Sequence, residues 1–271
     1  MDVVRWLLFG ALPAAAAVLL LVGVGGARFL ALALAIALCV PFALVDGWPP
    51  WPWQLSLQSG RPDLWLWWVF LAIGIVGTGY DTKLLPKPLL LAFDFLLVVS
   101  LPWLLSAPLR SGWTFEQCVL GLGAGWVVVL GGWWLQRRVA KACPGVAVPL
   151  AGAIVLAADA VVLRAMGSPS GWQLAGVAAV ALGLTVATTI WRRPFRCGTG
   201  GALAITVAHV GLLGCGRTEA DLLRVPFLLV LAAPLGMGLA PLRLFARRPG
   251  MGVVVGIGAT LALAIVSCAI V

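Results

Sequence analysis

Long apolar runs alternate with short polar breaks from one end of this chain to the other. A helix needs about 20 apolar residues to cross the hydrocarbon layer of a bilayer. The breaks delimit ten runs near that length: residues 4–22, 28–45, 64–80, 88–106, 117–135, 147–164, 173–191, 202–215, 223–243 and 251–270. The pattern predicts an all-α polytopic membrane protein of about ten transmembrane helices. The eighth run is short and predicts a tilted, bent or half-buried helix. No break is long enough to separate two domains and no repeat of solenoid period occurs, so residues 1–271 form a single integral membrane domain. The longest break, Asp46 to Asp63, reads DGWPPWPWQLSLQSGRPD. Its tryptophans and prolines suit an interfacial cap that cannot be a regular helix.

Composition sharpens this picture. The 271 residues are 62% hydrophobic and only 10% charged, whereas soluble domains carry about 25% charged residues. The net charge of +9 would suggest nucleic acid in a soluble protein. Here the basic residues lie in short breaks between spans, so topology accounts for them and nucleic acid is not an expected partner. Residues 4–22 lack a basic leader, since Asp2 and Arg5 cancel, and they read as a retained helix. The six cysteines are scattered and predict neither a zinc site nor disulfides.

Charge also orients the chain. The breaks after spans one, three, five, seven and nine hold 12 of the 18 Lys and Arg residues: Arg28; Lys83 and Lys87; Arg137, Arg138 and Lys141; Arg192, Arg193 and Arg196; Arg243, Arg247 and Arg248. The opposite side holds the remaining 6, together with Asp2, Asp46, Asp63, Glu116, Glu219 and Asp221. Basic loops stay cytoplasmic, so both termini are expected outside.

Candidate chemistry concentrates at one break. The stretch Gly74–Leu91, GIVGTGYDTKLLPKPLLL, places Asp81, Lys83 and Lys87 together at a helix end. The basic loops on the same face suit phosphate, because arginine donates two parallel hydrogen bonds to it and anionic lipid is drawn to such a face. Within the spans stand Asp94, Asp159 and His209; an intramembrane ionisable group is a functional candidate. A partner inside the bundle is the alternative for each, and Arg164 lies five residues beyond Asp159. Gly-Thr-Gly occurs at 77–79 and again at 198–200, too short by itself for a phosphate loop.

The order of these segments resembles the polyprenyl-phosphate N-acetylhexosamine-1-phosphate transferases, the superfamily of phospho-N-acetylmuramoyl-pentapeptide transferase. In that family the third span ends in glycine, paired aspartates and a basic turn; Gly77, Tyr80, Asp81, Lys83, Pro86 and Lys87 stand in that arrangement. Its Arg-x-Phe-x-Gly-Asp-Thr/Ser-Gly-Ser motif falls on Arg193, Phe195, Cys197, Gly198, Thr199, Gly200 and Gly201. Its ninth-span motif falls on Pro226–Met237, closing with Arg247 and Arg248. The resemblance runs from about Gly25 to the end of the chain. It implies ten spans, a cytoplasmic site at the inner membrane of a bacterium, and transfer of a sugar phosphate from a UDP-sugar to polyprenyl phosphate, aided by Mg²⁺.

The departures fall on the acids. Tyr80 replaces the first of the paired aspartates, and the Asp-x-x-Asp-Gly motif falls on Lys141, Pro144 and Gly145. Gly198 and Met237 replace two more acids, and the turn FARRPGMG has no histidines. Of the expected cytoplasmic acids Asp81 remains as the catalytic and metal candidate. Lys83, Lys87, Arg137, Arg138, Lys141, Arg193 and Thr199 are the phosphate-binding candidates. Mg²⁺ is bound through one or two carboxylates plus substrate phosphates, and it neutralises the pyrophosphate during transfer. Three readings follow. One is a degenerate transferase that binds a polyprenyl lipid or an envelope-biosynthesis partner protein. The second is an active, divergent Mg²⁺-dependent transferase, and the third an unrelated transporter or scaffold lined by Asp94, Asp159 and His209. A prepilin-type aspartic peptidase, suggested by Gly77–Leu85, needs its Asp directly after Gly-x-Gly and a second Asp at another cytoplasmic helix end. Neither is present.

Overall fold

A computed structural model describes residues 10–45, 47–55, 62–107, 112–143, 145–168, 170–191, 195, 197–219, 224–241 and 249–270. The candidate Arg193 lies outside the described residues, as do Arg192, Arg196, Arg243, Arg247, Arg248, Pro144 and the start of the first predicted span. The described chain is helical and holds no β-strand. Its α-helices are α1 (Leu12–Gly25), α2 (Leu30–Val45), α3 (Pro62–Thr82), α4 (Lys87–Leu105), α5 (Phe115–Ala142), α6 (Ala147–Ala165), α7 (Gly171–Trp191), α8 (Thr199–Glu219), α9 (Arg224–Ala232) and α10 (Pro249–Ala269). Eight apolar stretches among the described residues are long enough to cross a membrane. This is an integral membrane protein by the length and apolarity of its helices.

The first stretch, Leu12–Leu44, contains two helices. A 3₁₀ turn at Gly26–Phe29 separates them, Gly26 has φ of 76°, and α1 packs against α2. The last residues before α10 are shorter in reach: α9 tightens into a 3₁₀ helix over Ala233–Leu239. Pro234 cannot donate a backbone N–H there. This tail packs on α10, where Gly236 faces Thr260.

The eighth predicted span is corrected. It is longer than its apolar run, beginning at Thr199 and ending at Glu219, and it is the most enclosed helix of the bundle. Of the residues in its span 89% are buried, against 24% in α4 and 17% in α5. It packs on every helix from α2 to α7 and on α9. Its sequence, TGGALAITVAHVGLLGCGRTE, carries small residues on all sides, which lets neighbouring backbones approach closely in a membrane. Gly211 receives Leu66 of α3, Gly214 receives Leu105 of α4, and Ile205 fills the space beside Gly152 of α6. By contrast α4 and α5 present large exposed apolar side chains, including Phe95, Leu120 and Val127, as helices facing lipid do.

The tryptophan-rich break is a cap built on aromatic stacking. Its described part contains only one 3₁₀ turn, Pro52–Gln54. Trp51 stacks on Trp68 at 5.5 Å between ring centroids, and Trp48 meets Trp67 edge-on at 5.2 Å. The Trp68 indole donates to the Pro50 carbonyl at 3.0 Å, and the Trp67 indole to the Cys39 carbonyl at 2.9 Å. At the start of α5, Thr114 accepts from the Gln117 amide at 3.3 Å while the Gln117 side chain accepts from the Thr114 amide at 3.0 Å. This reciprocal cap fixes where that helix begins.

Among the glycines of the described residues, the tightest backbone approach is between Gly77 of α3 and Gly200 of α8. A Cβ on Gly200 would overlap the Gly77 carbonyl, and a Cβ on Gly77 would lie 2.9 Å from the Gly200 oxygen. Gly200→Ala is therefore expected to destabilise the protein by roughly 1–3 kcal/mol, the usual cost of overpacking. Gly176→Ala on α7, where a Cβ meets nothing within 4 Å, should be neutral or slightly stabilising. Thermal unfolding in detergent of both variants checks the contrast.

Candidate functional site

The two Gly-Thr-Gly sequences, 121 residues apart in the chain, meet at this approach. The first closes α3 and delivers Asp81 beyond its last glycine. The second opens α8. A helix start leaves its first N–H groups without partners in the helix, and Asp81 supplies them from another helix. Its Oδ1 accepts from the Gly200 amide at 3.0 Å and its Oδ2 from the Gly201 amide at 3.1 Å. The carboxylate also sits where the positive end of the α8 dipole is strongest. Gly198 lies directly against it: a Cβ there would overlap the Asp81 carboxylate. Thr199 is the first residue of α8.

Asp81 therefore has a protein partner at each oxygen. No group of three or more His, Cys, Asp or Glu side chains able to hold a metal ion occurs among the described residues. One carboxylate already engaged by two amides, with Gly198 directly against it, does not suit Mg²⁺, a hard ion that needs oxygen ligands in octahedral array. Cys197, beside this cap, is buried, and burial followed by the charge of Asp81 pushes its thiol up. Burial pushes the Cys143 thiol up as well. Neither is a reactive thiolate.

The other candidates are distributed around this cap, not gathered at it. Lys83 ends α3 with φ of 58°, and it and Lys87 are exposed. Tyr80, one residue before Asp81, points elsewhere: its hydroxyl donates to Asp94 Oδ2 on α4, and its ring lies 6.4 Å from that of Trp133 on α5. Arg137 lies over the Trp133 ring at 5.9 Å. Asp94 Oδ1 and Arg137 Nε are both enclosed without a hydrogen-bond partner. Arg138 and Lys141 occupy a different face of α5. Arg138 stacks over Trp134 at 4.4 Å. With Lys141, Trp134, Gly238 and Pro241 it lines a hollow of about 550 Å³. No carboxylate pairs with either cation among the described residues.

The sequence-based pairing of Asp159 with Arg164 is corrected. Arg164 turns outward over the Trp172 ring at 5.5 Å. Asp159 instead meets His209, 50 residues away on α8, with Nδ1 and Oδ2 2.8 Å apart and both side chains fully or almost fully buried. The other ring nitrogen faces the Leu231 carbonyl of α9 at 3.4 Å. The pair thus ties α6, α8 and α9 together inside the membrane. Its members were visible in the sequence as intramembrane ionisable residues, but no local signal links them. Gln136, buried on α5 beside His209's cavity, escaped the sequence reading because one amide in an apolar run carries no charge to mark it.

No protein-family model, curated protein or solved structure matches this chain.

Breaking a buried pair leaves an uncompensated charge and costs about 3–5 kcal/mol, while replacing both members with apolar residues is often neutral or stabilising. Asp159→Leu and His209→Leu should each lower the unfolding temperature sharply, and the double variant should recover most of the loss. Unfolding measurements on the three proteins, read as a double-mutant cycle, check this. Simple additivity would show that the two side chains act independently.

Proposed function

We propose that this chain is a catalytically degenerate member of the polyprenyl-phosphate sugar-1-phosphate transferase superfamily, retained as a lipid-phosphate-binding protein of the cytoplasmic membrane. The observation that carries this reading is the meeting of Asp81 with Gly198. The resemblance matched these two positions independently to acids of two different family motifs. Residues that share a metal site must lie together, and here the two positions touch. The same contact argues against turnover, because glycine fills one acid position and the N-terminus of α8 occupies the carboxylate of the other.

Phosphoryl transfer is catalysed mainly by positioning and electrostatic stabilisation, and loss of a single charge-stabilising group costs about 10²–10³ in rate. Tyr80, Lys141, Pro144, Gly198 and Met237 stand at five expected acid positions. Phosphate binding does not need those acids. Arg138 and Lys141, without carboxylate partners beside a membrane-facing tryptophan, supply the cationic donors. The bound molecule is a lipid phosphate, with polyprenyl phosphate the candidate set by the resemblance.

The topology that accompanies this reading has ten passes with both termini outside. The distribution of Lys and Arg supports it, and so does the contact between the end of α3 and the start of α8, which puts an even number of crossings between them. In a cysteine-free background, a cysteine at position 141 should react with an impermeant thiol reagent only after the membrane is opened.

The function itself is tested with the purified protein, undecaprenyl phosphate, UDP-N-acetylglucosamine and Mg²⁺. No UMP should be released above background, while undecaprenyl phosphate should bind saturably. Arg138→Gln combined with Lys141→Gln should weaken that binding at least about tenfold, the worth of one charge-assisted hydrogen bond. Robust UMP release abolished by Asp81→Asn would establish the active-transferase alternative. Absence of both binding and release would remove the functional content of the resemblance.

A further inference from the structure

A cavity between α5, α6, α8 and α9 plays no part in the reading above. Its volume is about 420 Å³, within the range of small-molecule sites. Its walls are almost wholly apolar, and Val127, Leu228 and Leu235 at its edge are exposed. The mouth thus opens sideways toward lipid. Three polar side chains interrupt the wall: Gln136, Thr206 and His209. The Thr206 hydroxyl is committed to the Ala202 carbonyl at 2.9 Å.

The other two are not fully used. Gln136 is 7% exposed, and its amide has no hydrogen-bond partner among the described residues while lining the cavity. Its polar atoms are not fully enclosed, so the amide reaches the open space of the cavity, where a ligand can engage it. His209 presents both ring nitrogens to oxygen acceptors, Asp159 and the Leu231 carbonyl, an arrangement that the doubly protonated ring satisfies. The Leu231 contact, at 3.4 Å, is longer than an ordinary N–H···O bond. This N–H is available to a better-placed acceptor.

The register of the helices sets the spacing. The beginning of α5 lies beside the end of α8, where Gln117, Gly121, Leu213 and Gly214 line one hollow, so the two helices run antiparallel. Gly132 faces Thr206. Gln136, one turn further along α5, comes level with the region of Ala202. From there to His209 is seven residues of α8, about 10 Å at the helical rise. His209 is also midway along the 21 residues of α8, which in a helix that crosses the bilayer puts it near mid-depth. A phospholipid or prenyl phosphate keeps its polar atoms at the interface and cannot place an acceptor there. A neutral ring with carbonyl oxygens at opposite edges can reach both donors.

We infer that this cavity binds a quinone-type molecule, a flat, neutral, membrane-dissolved ring whose two carbonyl oxygens accept from the Gln136 amide and from the His209 Nε2–H. The side-facing mouth admits it directly from the bilayer. The lipid-phosphate reading is not required, because the cations of that reading lie on the hollow formed by Arg138 and Lys141.

The test uses the full chain in phospholipid nanodiscs with a radiolabelled short-chain 1,4-naphthoquinone. Wild-type protein should bind it saturably above the partition measured in empty nanodiscs. Gln136→Leu, close in size and expected to fold, should lower the affinity between about three- and tenfold, as loss of one hydrogen bond does. Gly131→Leu, which adds a side chain to a cavity-lining residue with no atom within 4 Å of its Cβ position, should also reduce binding. Undecaprenyl phosphate binding by the Gln136 variant should be unchanged. Three results would overturn the inference: uptake no greater than in empty nanodiscs, equal affinity in Gln136→Leu, or equal competition by a naphthalene of the same size without carbonyls.

Discussion

A helix that starts inside a membrane protein must find partners for its first amides, and in this molecule the whole bundle is placed by how that is done for α8. Gly200 and Gly201 are buried, and an amide left unsatisfied in an apolar setting costs several kcal/mol. Asp81 answers both from a neighbouring helix. Hydrogen bonds to a charged group contribute roughly 1.5–3 kcal/mol each, and the helix dipole adds to them. The contact is possible only because Gly77 and Gly200 let two backbones come within touching distance. Since α8 packs on nearly every other helix, its start fixes the depth at which the others meet it.

The same principle runs through the remaining intramembrane acids. Asp94 receives the Tyr80 hydroxyl and Asp159 receives His209. Each carboxylate is given a donor by the protein itself, on a separate helix pair, and the three are not pooled. A dication needs the opposite arrangement, with several carboxylate oxygens turned toward a common point. At Asp81 the positive end of a helix now provides the stabilisation that a cation would otherwise provide. Tyr80 contributes a donor to Asp94, and Gly198 leaves room for the cap.

Much of this architecture was legible in the sequence, for a physical reason: length and apolarity alone decide whether a helix can span a bilayer. The irregular backbone of the tryptophan-rich break was legible for a simple reason, since proline bars a regular helix. The eighth span misled because Gly198–Gly201 lowers the apolar signal where the helix begins; the glycines that disguise its start are those that make its cap possible. Both Gly-Thr-Gly sequences were visible, but their meeting was not, because nothing local encodes contact across more than a hundred residues. For Asp159 the nearest cation in sequence, Arg164, was the wrong partner. A residue near the end of α6 gains more by reaching an aromatic ring at the surface, and the buried acid took the only imidazole in the core.

The basic loops teach a further distinction. The positive-inside tendency alone would account for Arg137, Arg138 and Lys141, so their presence says nothing about a ligand. The helical period of 3.6 residues separates them. Arg137 is carried inward, over Trp133 and within electrostatic reach of Asp94, where it offsets an enclosed acid. Arg138 and Lys141, one and four positions on, are carried to the hollow beside Pro241, with no acid paired to them among the described residues. The two cations repel one another, and Arg138 is held there by stacking over Trp134. Their convergence on one concave surface beside the exposed Trp134 is the feature on which the proposed recognition of a lipid phosphate rests.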